Sequence, residues 1–167
     1  MLRRNLANII TITRIIGSII MFFLEPLSAY FYLVYIYSGI SDAIDGYVAR
    51  STNTTSALGS KLDSVSDLLF YSVMMFKIMP ILLDVLPAYI WYLINIIVIV
   101  RMSMYLFVGI KRKQIMSNHT LLNKLTGLLL FLVPFMIITD FFIPYALIVT
   151  IVALIAALYE IYYLHKH

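Results

Sequence analysis

Six long apolar stretches run through the chain, separated by short breaks that are polar, basic or proline-containing. A helix needs about 20 apolar residues to cross the hydrocarbon core of a bilayer. Stretches of that order fall at residues 8–24, 27–47, 57–79, 86–109, 121–138 and 144–164. Glu25-Pro26 divides the first from the second, and the polar run at residues 50–56 divides the second from the third. Pro80 is expected to end the third, because proline lacks the amide donor that a helix interior needs. A basic connection at residues 110–120 carries Lys111, Arg112 and Lys113. Residues 1–7, with Arg3 and Arg4, read as a short N-terminal juxtamembrane segment lying along the membrane surface. The pattern predicts an all-α integral membrane protein, a six-transmembrane-helix bundle forming a single domain over residues 1–167.

Composition sharpens this picture. Of the 167 residues 63% are apolar and 12% charged, and the mean hydropathy is +0.99. Soluble domains are nearer 45–50% apolar and about 25% charged, and a chain this short cannot hide the surplus inside. Cysteine is absent, which excludes disulfides and thiol chemistry. The formal charge of +4 invites a nucleic-acid reading. In a membrane protein the placement of charge matters more than its sum, and nucleic acid is not expected as a partner. No cleavable signal is expected either, since the first apolar stretch runs on towards the next without a small-residue cleavage site. With the N-terminus in the cytoplasm, the inner side collects Arg3, Arg4, Arg50, Lys61, Lys111, Arg112, Lys113 and Lys166. The outer side then collects Glu25, Asp84 and Asp140, with Lys77 as its basic residue. That asymmetry predicts a multi-pass protein of the cell membrane with both termini cytoplasmic.

The stretch Asp42–Asp67 breaks the apolar pattern. It holds Asp42, Asp45, Asp63 and Asp67, four of the eight acidic residues, inside or beside predicted spans. A carboxylate at membrane depth costs about 2.5–3.5 kcal/mol on insertion scales, so four together call for a compensating cation. Asp42 and Asp45 are three residues apart, and Asp63 and Asp67 four, so each pair shares a helix face. Antiparallel packing of two consecutive helices would bring the pairs face to face. Oxygen ligands alone favour a hard cation such as Mg²⁺, Mn²⁺ or Ca²⁺, and four carboxylates carry charge enough for two, as suits a pyrophosphate displacement. Gly46 and Ala49 would keep one helix face bare for a ligand, Gly59 lies one turn before Asp63, and Arg50 offers a fork for phosphate. Taken singly these signals are bland. Asp45-Gly46 is a common turn dipeptide, and Arg50 alone reads as a positive-inside anchor. The constellation carries the reading.

The residues Asp42, Asp45, Gly46, Ala49, Arg50, Gly59, Asp63 and Asp67 stand in an arrangement that resembles the signature of the CDP-alcohol phosphatidyltransferases. The resemblance implies transfer of a phosphatidyl group from CDP-diacylglycerol to an alcohol, with release of CMP, at a two-metal site holding Mg²⁺ or Mn²⁺. It implies that Asp42, Asp45, Asp63 and Asp67 ligate the metals and that Asp67 also deprotonates the acceptor hydroxyl. Gly46, Ala49, Arg50 and Gly59 take CDP-binding positions by the same resemblance, which also implies a homodimer, and the charge asymmetry is expected to put the active site at the cytoplasmic face.

The acceptor alcohol is read from the remaining charges. Arg14, Arg101 and Lys124 lie inside predicted spans, where cations are functional candidates by default; the alternative is that they counterbalance the aspartates. Arg101, Lys111, Arg112 and Lys124 would build a pocket for an acceptor phosphate, which favours glycerol 3-phosphate. The opening run Asn8–Arg14, the Arg101 position and the small size look like phosphatidylglycerophosphate synthases. Ser64 and Leu68 depart from them, and Leu62–Asp67 looks more like phosphatidylserine synthases. Serine, inositol phosphate and phosphatidylglycerol therefore remain as alternative acceptors. From a different class, clustered carboxylates in a helical bundle would also suit a cation channel or transporter.

Overall fold

The computed structural model describes residues 2–51, 57–112 and 121–166, and among these it contains six helices and no strand. They are α1 (Leu2–Phe23), α2 (Ala29–Ser51), α3 (Ala57–Val85), α4 (Ala88–Arg112), α5 (Leu121–Met136) and α6 (Phe142–Lys166). The chain divides into two compact units, Met1–Asp84 with α1 to α3 and Val85–His167 with α4 to α6.

Two boundaries differ from the sequence reading. Residues 2–7 are helical and continuous with α1, where the sequence reading set them apart as a segment of their own, because nothing in that run breaks a helix. α3 passes through Pro80 and ends at Val85. A proline forfeits one bond, to the carbonyl four residues back, a loss that a membrane helix tolerates. Pro134 sits inside α5 in the same way.

Between α1 and α2 the chain turns through Leu24–Ser28, where Leu27 takes a left-handed φ of 61°. Such a φ is uncommon for a branched side chain. Ser28 caps α2, its Oγ accepting from the Phe31 amide at 3.2 Å. Lys77 of α3 ties this turn down by donating to the Leu24 carbonyl at 2.8 Å.

Aromatic side chains pack the first unit. Tyr35 stacks on Phe70 at 5.6 Å, joining α2 to α3, and Phe22 stacks on Phe76 at 5.5 Å, joining α1 to α3. α1 and α2 meet closely at Gly17, where an added Cβ would lie 3.4 Å from both Ser38 Oγ and Val34 Cγ1. In the second unit the Tyr145 hydroxyl of α6 donates to the Leu129 carbonyl of α5 at 2.5 Å, and Ala156 and Ala157 are fully buried on α6.

The outward faces are apolar. Leu68, Phe76, Leu121 and Phe141 are each at least 65% exposed. Large apolar side chains exposed in this way suit a lipid environment. Among the described residues two helical stretches, Lys61–Val85 and Phe142–Tyr162, are long and apolar enough to cross a membrane. Shorter apolar helices run over Ile9–Phe23, Ala88–Met104 and Leu121–Met136.

Candidate metal centre

The polar residues of α1, α2 and α3 converge. α2 brings Ser38, Ser41 and Asp42, spaced so that all three lie on one side of the helix. α3 brings Asp63, Ser66 and Asp67, again at three- and four-residue spacing. One carboxylate oxygen from each of Asp42, Asp63 and Asp67 lies within 4.8 Å of the other two. The three side chains are 50%, 47% and 40% exposed, so the cluster is open to a ligand.

Opposite them stands Arg14 of α1, only 1% exposed. Its Nη1 donates to Asp42, its Nη2 donates to Asp63 Oδ1 at 2.6 Å, and the same Nη2 lies 3.4 Å from Asp67 Oδ1. Its Nε donates to Ser66 Oγ at 2.7 Å, and Ser66 is fully buried. A guanidinium presents donors in a fixed planar fork, and here that fork spans carboxylates from two other helices. Among the described residues one guanidinium faces three carboxyl groups, which keep oxygen lone pairs able to accept. Thr13 of α1 shares a 2.7 Å hydrogen bond with the Tyr37 hydroxyl of α2, fixing the register of the two helices one residue from Arg14.

The other sequence-derived residues fall as follows. Asp45, Gly46, Ala49 and Arg50 lie on the last turns of α2, with their side chains outside the described residues. Gly59 lies in the first turn of α3. Lys111 and Arg112 end α4 with their side chains outside the described residues, and Lys113 lies outside them altogether. Lys124 is exposed near the start of α5. Arg101 is engaged within its own unit. It donates to Asn123 Oδ1 at 2.9 Å, Asn123 donates to Glu160 Oε2 at 3.3 Å, and Arg101 Nη1 lies 3.8 Å from that same Glu160 oxygen.

Sequence reasoning overlooks Ser66 and Glu160. Ser66 was readable as a polar residue three positions after Asp63 in an apolar helix. Glu160 was readable as a lone acid in the most apolar stretch of the chain, where a carboxylate needs a partner.

Comparison with known proteins bears on the family of the chain. A family model described as CDP-alcohol phosphatidyltransferase matches residues 4–159. A CDP-diacylglycerol–serine O-phosphatidyltransferase of Methanocaldococcus jannaschii is 38% identical over 69 residues, 41% of this chain. The match spans about a third of that relative, 32% of its length. No solved structure is significantly similar to the chain. With the family model covering nearly the whole sequence, the chain belongs to the CDP-alcohol phosphatidyltransferase family.

Proposed function

We propose that this protein moves a phosphatidyl group from CDP-diacylglycerol to a small alcohol, releasing CMP, at a divalent-metal site built by Asp42, Asp45, Asp63 and Asp67. The observation that carries the reading is the convergence of Asp42, Asp63 and Asp67 from two helices to within 4.8 Å. The donor set fits the group: carboxylate oxygens alone, partly exposed, with one buried guanidinium as their described counter-charge. All-oxygen donors of this kind select Mg²⁺ or Mn²⁺ over softer metals. A bound divalent cation supplies charge neutralisation and polarisation of the pyrophosphate.

The protein's own residues do the rest. Asp67 takes the proton of the acceptor hydroxyl, acting as general base within hydrogen-bond reach. The acceptor oxygen then bonds to the phosphorus that carries diacylglycerol. The bridging bond to the CMP phosphate breaks, and its electron pair leaves with CMP. Gly46, Ala49 and Gly59 leave room for the nucleotide to lie along the helices, and Arg50 pairs with a phosphate oxygen. The apolar outward faces of the helices hold the diacylglycerol-bearing substrate at the bilayer. We read all six helices as spans, with both termini and the site cytoplasmic, the chain as one functional domain, and the working form as a homodimer.

Glycerol 3-phosphate is the favoured acceptor, because Arg101, Lys111, Arg112 and Lys124 bring four cations to α4 and α5. Serine is the second reading. It is favoured by the buried Glu160, which compensates the charge of Arg101, and by the serine transferase of Methanocaldococcus jannaschii to which part of the chain is similar. The purified protein, supplied with CDP-diacylglycerol, Mn²⁺ and each alcohol in turn, decides between them by which one releases CMP.

A further inference from the structure

We propose that Arg14 is a resident cation of this site, one that holds Asp42, Asp63 and Asp67 together and competes with a divalent metal for their oxygens. The inference rests on the reading of the three aspartates as metal ligands, and goes beyond it by giving a role to a residue outside their motif. Arg14 belongs to a third helix, α1, and does not reach in from solvent. Its side chain is 1% exposed and its Nε is held by the fully buried Ser66. The guanidinium is therefore built into the wall of the cluster, and its two Nη atoms face the Oδ1 atoms of Asp42, Asp63 and Asp67.

Three carboxylates this close repel one another. A positive charge between them offsets that repulsion, and a bound divalent cation would do so as well. Arg14 supplies that charge and keeps them convergent. A metal that draws on the same lone pairs must weaken the Arg14 bonds, and by linkage those bonds weaken the metal's hold to the same degree. The competition keeps cation affinity low in the substrate-free protein. Binding is completed when an anionic pyrophosphate arrives with further oxygens. Arg14 is thus a positioning residue, acting through the carboxylates rather than on the substrate.

The test is a Mn²⁺ titration of the full chain in detergent micelles, following free Mn²⁺ by electron paramagnetic resonance, together with the thermal midpoint of the metal-free protein. Removing one positive charge beside a divalent-cation site is worth about tenfold in affinity. Arg14→Gln is expected to lower the Kd for Mn²⁺ about tenfold while lowering the metal-free midpoint. Arg14→Lys restores the charge without the fork, so its Kd returns to within about threefold of wild type while the midpoint stays low. A Kd in Arg14→Gln equal to or above wild type overturns the proposal. Should Arg14→Gln fail to fold, Ser66→Ala loosens the same guanidinium without touching a carboxylate. It is expected to tighten Mn²⁺ binding about threefold, and unchanged or weaker binding again overturns the proposal. Asp63→Asn separates the two readings. If it binds Mn²⁺ as wild type does, the metal reading falls and this inference with it. If it loses Mn²⁺ while Arg14→Gln binds as wild type, this inference alone falls.

Discussion

Glu160→Ala is the perturbation whose size follows most directly from the structure. Glu160 is 1% exposed on α6 and holds two groups at once, Arg101 of α4 at 3.8 Å and Asn123 of α5 at 3.3 Å. Truncating it leaves a guanidinium whose remaining described partner is the Asn123 carbonyl oxygen. Removing one partner of a fully buried ion pair costs about 3–5 kcal/mol. Arg101 keeps a quarter of its surface exposed and the charge separation is long, so solvent screens part of the loss and about 2–3 kcal/mol remains. For a chain of this size each kcal/mol moves the thermal midpoint by about 2–4 °C, which gives a fall of about 5–10 °C. Thermal scans in detergent micelles, with wild type and variant at equal scan rate, read the effect. The double variant Arg101→Met/Glu160→Ala leaves no orphaned charge and is expected to recover roughly half of the loss. A fall of less than about 2 °C, or a double variant as unstable as the two single changes added together, refutes the reasoning.

Other outcomes follow from the same geometry. Asp67→Asn keeps the shape of the side chain but cannot take the acceptor proton; CMP release should fall about 10²–10⁴-fold with the thermal midpoint nearly unchanged, and retained turnover removes its assigned role. Gly17→Leu drives a side chain into the 3.4 Å approach to Val34 and Ser38, an overpacking worth about 1–3 kcal/mol. Because Gly17 is one turn from Arg14, Mn²⁺ binding should change along with the midpoint, and a purely thermal effect would uncouple the α1–α2 contact from the site. Chelation with EDTA should stop CMP release and added Mn²⁺ should restore it; turnover that survives chelation contradicts the metal reading.

Much of the architecture was legible because the apolar blocks are long and their breaks are sharp. The break between α1 and α2 falls at Leu24–Ser28, where Glu25-Pro26 was expected to divide the first two stretches. Pro80 misled, since a proline reads as a stop whereas a membrane helix tolerates one lost hydrogen bond. At the site, the three- and four-residue spacings were enough to place Asp42, Asp63 and Asp67 on facing surfaces, and the structure brings those three together. Arg14 was visible as an intramembrane cation and functional candidate, with counterbalance of the aspartates as the alternative reading. That it reaches carboxylates 28 and 49 positions away depends on how α1 docks, which no local pattern records. The grouping of Arg101 with basic residues rested on charge alone. Its actual partners, Asn123 and Glu160, are set by the packing of three helices, and a lone Glu near the end of an apolar stretch does not announce which helix it faces.

The central claim is a metal-dependent transfer from CDP-diacylglycerol to an alcohol. Its most direct test is CMP release by the purified full chain in mixed micelles with CDP-diacylglycerol and Mn²⁺, with glycerol 3-phosphate, serine, inositol phosphate and phosphatidylglycerol offered separately. The account predicts CMP release that requires both the metal and one acceptor, most strongly glycerol 3-phosphate, and that disappears in Asp63→Asn. Absence of CMP release with every one of these alcohols, in protein shown to be folded and to bind Mn²⁺, would contradict it.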